Sequence, residues 1–213
     1  MFYYPKILLS IAYLPPISWF KLMLNANEIC IEQYENYIKQ TYRNRFHILA
    51  ANGVMALSIP VESATYKKTS IKDVKIDYAT NWQKQHLKSL EAAYRNSPFY
   101  ELLIDDFLPF YNKKTTFLFD FNYEIIKKVL DILDIDKEIK FTTDFIELNK
   151  YSYDFRYEIK PKKQKPEIIQ KVNEPYYQVF SDKFSFVPDL SIVDLLFNLG
   201  HEAYGYLKIN ANT

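Results

Sequence analysis

The stretch Ile7-Leu8-Leu9-Ser10-Ile11-Ala12-Tyr13-Leu14-Pro15-Pro16-Ile17-Ser18-Trp19-Phe20-Lys21-Leu22-Met23-Leu24-Asn25-Ala26-Asn27-Glu28-Ile29-Cys30-Ile31-Glu32 decides the fold class. Ile7 to Ile11 is a short apolar run rich in branched residues, which reads as a buried strand. Tyr13-Leu14-Pro15-Pro16 breaks it. From Ile17 to Leu24 apolar residues recur at helical spacing, with Trp19, Phe20, Met23 and Leu24 on adjoining faces. After Asn25-Ala26-Asn27, the segment Glu28 to Glu32 reads as a second strand, continuous in the way of a parallel strand covered on both faces. A strand, a helix and a parallel strand make a β-α-β unit, whose crossover is right-handed almost without exception. The expectation is an α/β fold with a mainly parallel or mixed sheet flanked by helices. The first apolar run stops at Pro15-Pro16, well short of the roughly 20 residues a spanning helix needs, and lacks a small-residue cleavage site. A cytoplasmic protein with no membrane span is expected.

Ligands of open α/β sheets bind beyond the carboxyl ends of the strands. Here that means the Tyr13 to Pro16 loop and the segment after Glu32, which runs Gln33-Tyr34-Glu35-Asn36-Tyr37-Ile38-Lys39-Gln40-Thr41-Tyr42-Arg43-Asn44-Arg45. Arginine offers a planar fork for carboxylate or phosphate, asparagine and glutamine offer paired donors and acceptors, and tyrosine offers a flat face with a polar tip. Tyr13, Tyr37, Arg43 and Arg45 are therefore candidate binding residues, with Lys39 and Asn44 placed to stabilise developing charge. The competing reading is a solvated loop whose arginines pair with Glu32 or Glu35.

Further along, Phe46 to Ala50 and Met55 to Val61 flank Asn52-Gly53, a strong hairpin signal. Ile71 to Tyr78 reads as another strand. Asn81 is a candidate cap for a helix from Trp82 to Arg95, in which Trp82, Leu87, Leu90, Ala93 and Tyr94 form one stripe. His86 falls inside that stripe, so it is either a core histidine satisfied by a hydrogen bond or a general base on a rigid helix. Phe99 to Tyr111 and Thr116 to Leu133 complete a helical middle region, and Ile139 to Leu148 reads as a late strand. Lys160-Pro161-Lys162-Lys163-Gln164-Lys165-Pro166 reads as a solvated basic loop. A last helix starts at Pro188-Asp189, with Asp189 as its cap, and stops at Gly200. It is apolar nearly all round, and its polar residues Ser191, Asp194 and Asn198 share one stripe. That stripe either pairs internally, for example Asp194 with Arg43 or Arg45, or lines a polar site.

At 213 residues with 48% hydrophobic and 25% charged, the chain matches one globular domain spanning 1–213. Its 27 basic and 26 acidic residues leave a formal charge of +1, no field to gather nucleic acid or anionic membrane. Only three glycines occur, Gly53, Gly200 and Gly205, where average usage of about 7% would give roughly 15. No dinucleotide turn, phosphate loop or nucleophile elbow can be written from them. Cys30 is the single cysteine, which excludes an intrachain disulfide and a cysteine zinc site. His47, His86 and His201 are not at metal-ligand spacing. No metal is expected, and no cofactor can be named.

Six segments in register resemble the WbqC-like family: Ala12-Tyr13-Leu14-Pro15 with Trp19-Phe20; Glu35-Asn36-Tyr37 through Lys39 to Arg45; Ala51-Asn52-Gly53 with Leu57-Ser58-Ile59-Pro60-Val61; Trp82 with His86; Ala93-Tyr94 with Ser97-Pro98-Phe99; and Pro188 to Ile192 through Asp194 to Asn198. The family takes its name from polysaccharide (O-antigen) biosynthesis clusters. The resemblance implies an enzyme that modifies an activated or amino sugar by acyl or aminoacyl transfer, with a sugar or nucleotide sugar as substrate. It also favours Asn44, Arg45 and His86 as site residues. One departure stands out: many members carry His-Gln-Pro-Gly before Tyr-Leu-Pro, where this chain has Leu9-Ser10-Ile11-Ala12. A non-catalytic module stacking tyrosines and phenylalanines on a carbohydrate or protein is the alternative.

Overall fold

The computed structural model describes residues 4–62, 68–148, 150–161 and 174–208. In chain order the elements are β1 (Tyr4–Ser10), α1 (Ile17–Leu24), β2 (Ala26–Glu32), β3 (Arg45–Ala50), β4 (Gly53–Ser58), α2 (Trp82–Tyr94), α3 (Tyr100–Asn112), α4 (Leu118–Ile132), β5 (Ile139–Phe141), α5 (Ile192–Leu199) and α6 (Ala203–Leu207). The expected β-α-β unit is present: β1 and β2 pair in parallel with Ile7 opposite Ile29 and Leu9 opposite Ile31. β5 adds in parallel on the far side of β2. Both faces of the central strands are covered, and Ile7, Leu8, Leu9, Ile29 and Ile31 are all buried. That is why these strands read as apolar runs and not as an alternation.

On the other side of β1 a single parallel bridge joins Leu8 to Asp154. The Leu8 amide donates to the Tyr153 carbonyl at 3.0 Å and the Phe155 amide donates to Leu8 at 2.9 Å. The chain thus moves outward from β1 through β2 to β5 and then returns to the opposite flank of β1. The carboxyl end of β1 is a topological switch point, the place where open α/β sheets form their crevice.

β3 and β4 form an antiparallel hairpin in full register, from Arg45 opposite Ser58 to Ala50 opposite Gly53. Gly53 takes φ +105°, a conformation L side chains rarely adopt. The hairpin residues Phe46 and Ile48 point into the core, while Arg45 and His47 lie on the other, half-exposed face. Helices α2, α3 and α4 make the helical middle of this mixed α/β fold. α4 buries Phe121, Ile125, Val129 and Ile132 at spacings of four, four and three. α5 is buried along its length up to Asn198.

Several local readings are corrected. Ile71 to Tyr78 is not a continuous strand: a 3-10 turn occupies Ile71–Asp73, and only single bridges follow, Lys75 to Phe117 and Ile76 to Val61. The late strand ends at Phe141, because Thr142 turns its hydroxyl onto Glu32 at 2.8 Å. Asn81 precedes α2 without a side-chain capping bond. Asp189 caps a different helix. Its carboxylate accepts from the Ser18 amide at 2.6 Å and the Ser18 hydroxyl at 3.0 Å, so it serves α1, and Ser191 caps α5. In the basic loop, residues 162–166 lie outside the described residues. No helix among the described residues is long and apolar enough to cross a membrane.

Candidate functional site

Two arginines and three carboxylates meet at the switch point, all held inside the fold. Arg43 forks onto Glu35, with Nε to Oε1 at 3.0 Å and Nη2 to Oε2 at 2.5 Å. Its remaining donors reach Thr41 Oγ1 at 3.2 Å and Ser10 Oγ at 2.7 Å. Arg156 forks onto Asp154 at 2.9 and 2.6 Å and reaches Glu32 at 3.3 Å. Glu32 also accepts from the amides of Tyr34 and Ile146 at 2.8 Å each. The Tyr157 ring lies near both guanidinium groups, at 6.0 Å from Arg43 and 5.6 Å from Arg156. Between Ser10, Tyr42, Arg43 and Arg156 there is a void of about 10 Å³, room for about one water molecule. The charged groups here satisfy one another. Of the two sequence readings of this segment, the pairing with Glu35 describes Arg43.

Beyond Tyr42 the surface opens into a basin of about 610 Å³. Lys39, Arg45, His47 and Lys160 line it, with Gln40 and Thr41 between them and Ile38 and Pro161 as apolar walls. Among the described residues, no acidic side chain belongs to this lining. Arg45 makes no ion pair among the described residues, and its Nε is buried without an acceptor. Gln40 holds φ +59°, outside the usual range for a side-chain-bearing residue, and its backbone turns the 38–41 segment over the basin. Tyr42 packs edge-on to His47 at 5.5 Å between ring centres, and burial raises its hydroxyl pKa to about 12. The basin can therefore offer charge and hydrogen bonds to an anion, backed by a paired strand.

His86 lies elsewhere, in a buried aromatic cluster. Its Nδ1 is 3.0 Å from the Tyr13 hydroxyl, which is 2.8 Å from the Tyr111 hydroxyl. The ring also bonds the Ser58 backbone, and burial pulls its pKa down to about 4. We assign the neutral ring as donating to Ser58 and accepting from Tyr13. Tyr13, 0% exposed, has its hydroxyl pKa raised well above 10 by burial and by Tyr111. Asn44 donates to the Ile59 carbonyl at 2.8 Å and its Oδ1 has no partner. Tyr37 is half-buried, and its amide donates to Thr69 at 2.9 Å.

The polar stripe of α5 pairs internally, though not with an arginine. Asp194 accepts from Tyr94 at 2.8 Å, Tyr176 at 2.5 Å and Gln178 at 3.0 Å. Burial raises its pKa against the pull of those three donors. Asn198 donates to the Asp194 carbonyl at 2.7 Å, and Ser191 donates to the Leu14 carbonyl at 2.8 Å. The structure thus brings Lys39 and Arg45 together in the basin and places Arg43 in the ion network. Tyr13 with His86, and Asp194 with Asn198, belong to separate buried clusters. Among the described residues no three histidine, cysteine, aspartate or glutamate side chains converge as a metal site.

Comparison with known proteins bears directly on the resemblance. The sequence profile of the WbqC-like protein family matches residues 12–170. The chain belongs to the WbqC-like protein family. Among curated proteins it is similar to the uncharacterized protein Rv1507c of Mycobacterium tuberculosis, at 25% identity over 92% of this chain and 94% of that protein. No solved structure matches the chain.

For this WbqC-like chain, sequence reasoning passed over His47, Lys160, Arg156 and Tyr157. The signal for His47 was available: it stands two residues from Arg45 in a strand, and strand period two places both on one face. Arg156 and Tyr157 carried no such signal. They reach the site through the return of the chain to the open flank of β1, which leaves no local pattern.

Proposed function

We propose that this WbqC-like protein is a transferase that acts on an activated or amino sugar, and that its substrate site is the basin beside the sheet's switch point. The observation that carries the reading is the convergence of Lys39, Arg45, His47 and Lys160 on an open basin whose described lining holds no acidic side chain. A volume of about 610 Å³ falls in the range of small-molecule sites. In this reading Arg45 holds the anionic part of the substrate and Lys39 stabilises charge developing on a carbonyl or phosphoryl oxygen. The Arg43–Glu35 and Arg156–Asp154 pairs hold the floor in place, and Asn44 ties β3 to the chain after β4. The family's link to surface polysaccharide supports an acyl or aminoacyl acceptor on the sugar and a cytoplasmic setting.

Thermal shift of the purified protein against nucleotide sugars, free nucleotides and acyl-CoA compounds tests the reading, with Arg45→Ala in parallel. A ligand at 100 times its dissociation constant adds about 2.7 kcal/mol, or about 5–10 °C at this chain length. A shift from a nucleotide sugar that disappears in folded Arg45→Ala supports the proposal. A well-folded protein that responds to none of the panel points instead to a binding module for a polymer or protein.

A further inference from the structure

Three arginines surround the switch point, and they differ in what they face. Arg43 and Arg156 are closed into forks with Glu35 and Asp154. Arg45 enters no ion pair among the described residues and lines the open basin with Lys39, Lys160 and His47. Arg45 and His47 share one face of β3, which is fixed by its full ladder with β4. Their relative position is therefore set by backbone pairing and does not depend on a loop.

We propose that the ligand of this basin is held by a phosphate or diphosphate group, gripped by Arg45 and Lys39 and contacted by the imidazole of His47. The inference rests on the reading of the basin as the substrate site and names the chemical handle that site takes. A carboxylate has two oxygens and one negative charge, which one guanidinium fork satisfies. A phosphate monoester presents three acceptor oxygens and nearly two charges at neutral pH. That number matches a guanidinium fork, an ammonium and a ring N–H arriving from different directions. Among the described residues, the charged side chains that line the basin with His47 are basic: Arg45 from its own strand, Lys39 from the 38–41 segment and Lys160 from the segment after Ile159, with the Tyr42 ring at its edge. The segment packed on its backbone, where Ser191 donates to the His47 carbonyl, brings Asp189, whose carboxylate is already engaged by Ser18. Ile38 and Pro161 leave an apolar wall for the rest of the ligand, a sugar face or a base.

Three histidines in the chain, His47, His86 and His201, make the test direct. Proton NMR of the imidazole C2–H resonances is followed from pH 5 to 9, alone and with inorganic pyrophosphate, with acetate as the monoanion control, and His47→Gln assigns the signal. The expected result is a rise of about one pH unit in the His47 midpoint with pyrophosphate. By linkage this equals a tenfold tighter grip on the pyrophosphate anion when His47 is protonated. His201 stays unmoved, and Arg45→Gln, checked for folding by near-UV circular dichroism, weakens pyrophosphate binding at least tenfold. Equal movement with acetate overturns the phosphate assignment in favour of a carboxylate. An unmoved His47 together with an Arg45-dependent thermal shift from the nucleotide-sugar panel overturns the phosphate handle and leaves the basin reading standing. Silence in both assays overturns both.

Discussion

Replacing Arg43 with methionine removes the cation from the centre of the switch-point network while keeping most of the aliphatic stem. The guanidinium makes two bonds to Glu35, one to Thr41 and one to Ser10. The two side chains of the pair are 3% and 0% exposed, so bulk water does not reach the groups left behind. Removal leaves Glu35, Glu32 and Asp154 facing Arg156 as the one remaining cation of the network. Breaking a buried pair from one side costs about 3–5 kcal/mol, because the abandoned charge stays desolvated. At roughly 2–4 °C per kcal/mol for a chain of this size, Arg43→Met is expected to lower Tm by about 6–20 °C, with a matching loss in urea unfolding. The double variant Arg43→Met/Glu35→Leu removes both charges and is expected to recover much of that loss, since apolar replacement of a whole buried pair is often close to neutral. Glu91→Gln, which breaks an exposed pair between α2 and Arg95 at its carboxyl end, serves as the control and should leave Tm nearly unchanged. The reasoning is refuted if the double variant is as unstable as the two single losses summed, for then Arg43 acts by packing and not by its charge.

Three further outcomes are expected. His86 has its pKa lowered to about 4 by burial, against about 6.5 when unfolded, so stability is complete above pH 6.5. It falls as the pH drops towards 4, because only the unfolded chain takes up the proton, by about 3 kcal/mol in total. Urea unfolding across this window should show that slope, and His86→Phe should remove it while lowering stability overall. Tyr176→Phe deletes one of three donors to the buried Asp194, a bond to a charged acceptor worth about 1.5–3 kcal/mol. Protease cleavage between 176 and 187 should speed up by at least tenfold with little change in the exchange of β2 amides. Gly200→Ala introduces a Cβ at 2.6 Å from Phe99 Cδ1 in a backbone at φ +56°, and a loss of roughly 1–3 kcal/mol should appear in thermal denaturation.

The parts of the fold that the sequence displays are those built from local periodicity. The apolar run at Ile7, the helical spacing from Ile17 and the Asn52-Gly53 turn each carry their own signature, and β1, α1, β2 and the hairpin stand where those signatures place them. Ile71 to Tyr78 misleads because its apolar residues Ile71, Val74 and Ile76 are buried one by one against different neighbours. Buried spacing alone does not distinguish that from a strand. In the candidate site, Lys39 and Arg45 were visible as basic chemistry in the polar segment after β2. Which arginine is closed and which is open was not visible: the difference depends on Glu35 folding back onto Arg43, and both residues lie in one polar segment with nothing to rank them. The Asp194 cluster was legible as a polar stripe needing partners, yet its partners Tyr94 and Gln178 come from separate parts of the chain.

The bond from Ser18 to Asp189 spans 171 positions of sequence, and it completes the amino end of the first helix. The Leu14 carbonyl, in a backbone at φ +39°, waits in the same way for Ser191, 177 positions later. The opening β-α-β unit, though local by pattern, is finished by the far end of the polypeptide. Contacts this distant slow folding, since the intervening chain must be ordered before they form. During synthesis the first helix emerges long before its cap, so the amino end of that helix is completed only after most of the chain has been made.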